Sequence, residues 1–213
     1  MQTTSLEQWK VLILAACDAI VENESHLNEL DSLIGDGDHG TSMSRGFGAV
    51  RKSLTSSEFA SIGDLFTRAG YELLQEIGGA IGPLMGSFFV AAARNAKDLQ
   101  EIDLNTWTGM FSAGVDKIGA FGKASPGDKT ILDALLPAQK AFEEAAHLGL
   151  TWQAAFHNAA MAARQGADQT AGMVAKFGRA KFLGERSLGH QDPGANSIYI
   201  ILKAMEDSFE DLV

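Results

Sequence analysis

The sequence predicts an all-α protein, a single domain over 1–213, in which about eight antiparallel helices form a bundle or closed barrel with one working end. Three observations predict this. Apolar residues recur at helical spacing in one segment after another, no segment sustains period-two alternation, and the connections between segments are short. Alanine, leucine and glycine are plentiful while aromatics make up only 8%, which favours helix packing over sheet. There is no linker and no internal repeat, and 213 residues suffice for a sizeable core.

Thr4-x-x-Glu7 has capping-box spacing, and Leu6, Trp9, Ile13, Cys17 and Ile20 follow at helical intervals, so a first helix should carry the chain to Asp31. A second, after Gly40, places Met43, Phe47 and Val50 along one side. Ser61-x-x-Asp64 starts a third, with Leu65, Ala69, Leu73 and Ile77 as its buried stripe, and a Gly78–Gly86 loop breaks it. The fourth, through Phe88, Phe89 and Ala92, is apolar nearly all round and belongs in the core. Asn105 is the expected cap of a fifth, with Trp107, Phe111, Val115 and Ile118 inward. After a loop over Gly119–Asp128, Asp128 should cap a sixth bearing Ile131, Leu135 and Phe142, which Pro137 is expected to kink. Thr151 caps an alanine-rich seventh through Phe156, Ala159 and Ala163, and after the irregular Val174–Gly194 stretch, Asp192-Pro193 opens the last.

The formal net charge is −10, from 17 basic and 27 acidic residues, with no basic patch, which argues against nucleic acid and anionic membrane as partners. Cys17 is the single cysteine and falls on an apolar helix face, so neither an intramolecular disulfide nor a zinc cluster is expected. The N-terminal stretch lacks a basic region and a small-residue cleavage pattern. The longest uncharged run, Ile77–Ala93, is interrupted by Gly78, Gly79, Gly82, Pro83 and Gly86. The expectation is a cytoplasmic protein.

The chemistry concentrates in Asp31–Gly48, DSLIGDGDHGTSMSRGFG. Asp31, Asp36 and Asp38 repel one another unless a cation lies between them, and oxygen ligands without a nearby cysteine suit Mg2+ before Ca2+ or Zn2+. Gly35, Gly37 and Gly40 permit the turns that let three carboxylates converge, and a helix starting after Gly40 would offer free N–H groups to an anion. A solvated acidic cap is the alternative, since Asp and Gly are ordinary turn residues, but three carboxylates with His39 favour a metal beside an anion. Two decoys fail. Gly35-x-Gly37-x-x-Gly40 has no strand before it, and an EF-hand beginning at Asp36 would need Glu where Phe47 stands.

Direction reverses with each helix, so the first, third, fifth and seventh connections gather at one end. These are the glycine-rich ones: the Asp loop, the Gly78 loop, GKASPGDKT and GRAKFLGERSLGHQDPG. The third lacks the strand and the spacing of a P-loop, because Asp128 precedes Lys129. The fourth brings Arg179, Lys181 and Arg186, any of which can fork onto phosphate or pair on the surface. His39 and His190 sit in glycine-rich turns, and His39 can donate to a phosphate oxygen.

The segments DSLIGDGDHGTSMSRGF, GGAIGPLMGSFF, GKASPGDKTILDALLP and GRAKFLGERSLGHQDPGA, in this order, resemble the nucleotide-binding L subunits of dihydroxyacetone kinases, the DAK2-domain family. The resemblance runs from the first helix to the last. It implies an eight-helix barrel holding ADP or ATP and Mg2+, two ions, at one end. Asp31, Asp36 and Asp38 match the metal ligands; His39, Gly40, Thr41, Ser42, Ala80, Ile81, Gly122, Ile131, Arg179, Asp192, Pro193 and Gly194 match the nucleotide contacts. His39 and Arg179 are the implied auxiliary donors in catalysis. Ile81 stands where the family commonly has Ser, which removes a hydroxyl contact but keeps the backbone N–H.

In the phosphotransferase-system version, the resemblance implies that bound ADP is phosphorylated by a phosphohistidine partner of the M type. The γ-phosphoryl then passes to dihydroxyacetone on a K subunit. Such chemistry needs positioning and charge neutralisation more than a side-chain nucleophile. Two other readings stay open: a split ATP-dependent kinase for dihydroxyacetone or another short ketose, and a regulatory module whose nucleotide state signals to a transcription regulator.

Overall fold

The fold is that of a computed structural model, which describes residues 2–211. Among them are nine α-helices: α1 (Leu6–Glu22), α2 (Glu24–Ile34), α3 (His39–Ser56), α4 (Ile62–Glu76), α5 (Ile81–Ala93), α6 (Leu104–Gly122), α7 (Leu132–Leu148), α8 (Trp152–Gln169) and α9 (Pro193–Asp211). Eight of them, all but α2, pack as consecutive neighbours, and α9 returns to α1, so the ring is closed. The expected all-α barrel is therefore present, with one addition. The stretch expected as one helix up to Asp31 is two, because the chain turns at Asn23 and α2 then lies against the first turn of α3. None of the described helices is long and apolar enough to cross a membrane.

Helix starts follow local chemistry, and several expected caps move by one or two residues. Ser5, rather than Thr4, caps α1: its hydroxyl accepts from Gln8 N–H while the Gln8 side chain accepts from Ser5 N–H. Thr4 and Ser5 instead form β1, paired antiparallel with β2 (Glu101–Ile102). Ser61 and Thr151 cap α4 and α8 as expected. Asp103, not Asn105, caps α6, and strong hydrogen bonds from Thr106 hold its carboxyl below the usual range. The helix α5 already begins at Ile81, and α6 runs on to Gly122, so both neighbouring loops are shorter than the glycines suggested.

Pro137 does not interrupt α7. Lacking an N–H, it leaves the carbonyl of Asp133 without its helical donor. That carbonyl lies against Gly166 of α8, where a Cβ would stand 2.0 Å from it, so only glycine permits the approach.

The core runs the length of the barrel. At the end where β1 pairs with β2, it is a cluster of rings: Trp9 and Trp107 at 4.5 Å, Phe142 and Phe156 at 4.9 Å, Trp152 stacked on Phe209 at 6.0 Å. The indole of Trp152 also donates to Gln2 O at 3.1 Å. Helices α3, α5, α7 and α9 run toward this end, so all four start at the opposite end. The connections there are 35–38, 77–80, 123–131 and 170–192, the four glycine-rich ones, gathered as the alternation of direction requires.

Candidate functional site

At that opposite end, the N-termini of four helices, each a positive dipole end, surround the loops. Asp31, in the last turn of α2, and Asp36 and Asp38, in the turn after it, bring one carboxylate oxygen each within 4.8 Å of one another. Asp31 is half-buried and ordered by its neighbours. Its Oδ2 accepts from Asp38 N–H at 3.0 Å and His39 N–H at 3.3 Å. The set is all oxygen and half open to solvent, the donor chemistry of a hard divalent cation, so the residues fit Mg2+.

The residues after this turn are largely occupied by packing. Gly40 lies so close to α2 that a Cβ would meet Glu24 O at 2.0 Å. Thr41 N–H donates to Asn28 Oδ1 at 3.0 Å and its hydroxyl to Glu24 Oε1 at 3.0 Å, so its side chain binds α2. Ser42 follows within the same turn. His39 Nε2 lies 2.8 Å from Ser197 Oγ, and that hydroxyl also lies 3.1 Å from Pro193 O. Burial pushes the imidazole down to about 4, with Asp31 pulling the other way. The contact with Ser197 ties α3 to α9.

Ala80 and Ile81 are the cap and first residue of α5, on a turn made possible by Gly79 at φ 68°. Arg45 Nε donates to Glu76 O at 2.7 Å and joins this turn to α3. On the far side, Gly122 ends α6, and its surroundings lie outside the described residues. Ile131 caps α7 and is buried against Gly194, 3.5 Å from where a Cβ there would sit. Asp128 is not the cap expected of it. It accepts from Ser125 N–H and from Lys176 Nζ, both at 2.7 Å, which holds its carboxyl below the usual range. Ile131 caps α7 without a side-chain bond, and Asp133, inside the first turn, accepts from the loop amides of Gly127 and Thr130. Asp192 begins α9 as expected, accepting from Ala195 N–H at 2.7 Å, and Pro193 follows. Arg179 forms an ion pair with Asp36, so the last loop reaches the carboxylates.

Sequence reasoning missed Arg45, Ser197, Asp133 and Lys129. Lys129 is buried with φ 60° and donates to Thr170 O at 2.7 Å, Met173 O at 3.3 Å and His190 O. Nothing in its immediate neighbours signals this, since the carbonyls it serves lie more than forty residues away.

Asp192 and His39 titrate with opposite sign. Burial raises the Asp192 carboxyl from 3.8 to about 7, so its contribution to stability falls as pH climbs through that range. His39 is lowered from 6.5 to about 4, so its contribution is lost as pH drops through that range. The two trends offset each other. Asp192→Asn, which keeps a capping side chain, is expected to leave only the second, so its stability rises more steeply than the wild type's as pH goes from about 4 to 6.5. Urea midpoints measured across that range check this, and an unchanged slope contradicts it.

Comparison with known proteins gives this geometry a context. The chain is 38% identical over 206 residues, 96% of both chains, to the "PEP-dependent dihydroxyacetone kinase, ADP-binding subunit DhaL" of Escherichia coli. It is 36% identical over 180 residues to the "PTS-dependent dihydroxyacetone kinase, ADP-binding subunit DhaL" of Lactococcus lactis, covering 84% of this chain and 85% of that one. It is also 36% identical to the L-erythrulose kinase of Pectobacterium atrosepticum, but spans only 33% of that chain. Among solved structures, the dihydroxyacetone kinase of C. freundii in complex with AMP-PNP and Mg2+ superposes with a TM-score of 0.72 at 27% identity, over 98% of this chain and 35% of that one. Residues 33–207, which include Asp36, Asp38, the Arg179 loop and the start of α9, match the DAK2 domain model, and the chain belongs to the DAK2-domain family.

Proposed function

We propose that this chain is the ADP-binding subunit of a phosphotransferase-type dihydroxyacetone kinase, holding Mg2+ and ADP at the mouth of the barrel. The observation that carries the reading is the convergence of Asp31, Asp36 and Asp38 within 4.8 Å beside the start of α3, in a chain so similar to ADP-binding subunits. Mg2+, as one or two ions when bound, supplies charge neutralisation between carboxylates and phosphate oxygens. The chain's own groups do the rest. Asp31, Asp36 and Asp38 hold the metal, the N-termini of α3, α5, α7 and α9 present their positive dipole ends to the anion, and Arg179 can turn from Asp36 to a phosphate. A raised Asp192 carboxyl carries less than a full negative charge near neutral pH, which limits repulsion of a polyphosphate.

The remaining contacts proposed are His39, Gly40, Thr41 and Ser42 at the start of α3, with His39 beside Arg179 as an auxiliary donor, and Ala80, Ile81, Gly122, Ile131, Asp192, Pro193 and Gly194 around the nucleotide. Among the described residues the site offers no general base, which fits an acceptor hydroxyl activated on a separate K subunit. In this reading a phosphohistidine protein of the M type recharges the bound ADP.

The test is to purify the protein in Mg2+, extract it, and identify any nucleotide released with and without chelator. ADP retained through dialysis and freed by chelator supports the carrier. Absence of any nucleotide, together with no binding of added Mg-ADP, overturns the reading. Similarity to erythrulose kinases favours one second reading, a split ATP-dependent kinase for a short ketose. Rapid exchange of ATP with turnover on a ketose, without a phosphohistidine donor, would favour it.

A further inference from the structure

Lys129 has no part in the site so far, yet it is the most heavily bonded side chain near it. It is 2% exposed, its backbone takes the left-handed φ of 60°, and it donates to the carbonyls of Thr170, Met173 and His190. An ammonium has three protons, and three carbonyls take them. Burial pushes this ammonium below its ordinary pKa, and the carboxylates of Asp192 and Asp133 pull it back. A buried charge and a left-handed backbone are both costly, and an apolar side chain would fill the space without the desolvation. What only an ammonium provides here is a common point for three separate backbone segments.

Those segments matter by position. Thr170 closes α8, Met173 opens the long last loop, and His190 stands two residues before Asp192. Lys129 itself lies two residues before Ile131. Around it, Asp192 N–H donates to Thr170 Oγ1 at 2.8 Å, and Lys176 bonds Asp128 through both backbone and side chain. The 123–131 and 170–192 connections are thus bound into one body. Arg179 with Asp36 ties the carboxylate turn to that body, His39 with Ser197 ties the start of α3 to α9, and α2 packs against the 180–187 part of the last connection.

The geometry points to Lys129 as a positioning residue for the nucleotide: it sets the register between the Ile131 cap of α7 and the Asp192–Gly194 start of α9, and so the half of the site opposite the metal ligands. This rests on the nucleotide-binding reading above. It separates nucleotide affinity from metal affinity in degree, because Lys129 shares no described hydrogen-bond partner with the three carboxylates and reaches them only through the loop that carries Arg179.

The experiment compares wild type, Lys129→Met, Lys129→Gln and the exposed control Lys140→Met in the intact chain. Calorimetry would use ADP with Mg2+ and, separately, Mn2+ alone, with circular dichroism as a check on the fold. Lys129→Met is expected to weaken ADP binding about tenfold, the loss associated with buried carbonyls stripped of their donors. Lys129→Gln, which keeps two donors on a shorter arm, should fall between. Mn2+ affinity should stay within about twofold, as for sites that share no partners.

A folded Lys129→Met with wild-type ADP affinity overturns the assignment. So does parallel loss of ADP binding, Mn2+ binding and helical signal in both Lys129 variants, which would make the lysine a folding residue only. If wild type binds Mn2+ but not ADP, the nucleotide reading fails and this assignment falls with it. If wild type binds both and only the Lys129 variants behave otherwise than expected, the nucleotide reading stands and the assignment alone fails.

Discussion

Asp36→Ala is expected to abolish Mg2+-dependent retention of ADP, lowering affinity about a hundredfold, close to 3 kcal/mol, while helical content stays near wild type. The asymmetry follows from where the side chain sits. Asp36 is exposed, lies in the turn between α2 and α3, and pairs with Arg179 alone among the described residues. Removing its carboxylate takes one ligand from the cluster of three and leaves core packing untouched. Titrating Mg-ADP into the variant, with a circular dichroism spectrum beside it, checks both halves of the statement. Undiminished affinity would reduce the carboxylates to a solvated helix cap, and loss of the helical signal would make them structural.

Phe156→Ala should cost about 3–5 kcal/mol of stability, within the usual range for a large buried ring cut to a methyl. Phe156 is fully buried on α8 and meets rings from α1, α6, α7 and α9: Trp9 at 6.3 Å, Trp107 at 5.7 Å, Phe142 at 4.9 Å and Phe209 at 5.0 Å. No single neighbour can relax into the gap without disturbing the others, so the cavity term should be near its full value. Urea unfolding reads the loss. A change below about 1 kcal/mol would mean that the ring cluster repacks freely.

The helices were legible because their signals are local. The stripe Leu65, Ala69, Leu73, Ile77 and the cap Asp192-Pro193 each lie within a few turns of chain, and the alternation of direction was enough to gather the four glycine-rich loops. The misreadings at Asp128 and Pro137 share one cause. Asp128 looks like a cap, but Lys176, forty-eight residues on, claims its carboxylate and Asp133 bonds the loop amides instead. Pro137 looks like a break, but a glycine on the neighbouring helix accommodates the carbonyl it leaves bare. Lys129 and Arg45 were invisible for the same reason: their partners are distant backbone carbonyls, which have no sequence signature. The carboxylate cluster was readable because its three members fall within eight residues.

The aromatic floor of the barrel has one more implication. Trp152 bonds Gln2 through its indole and stacks on Phe209, so the first and last described stretches of the chain meet on the wall facing away from the carboxylates. Evolution can therefore splice this unit into a larger polypeptide, or an experimenter can attach a handle, at either terminus without obstructing the entrance. Relatives in which the same unit occupies about a third of the polypeptide are built in a way that this arrangement permits.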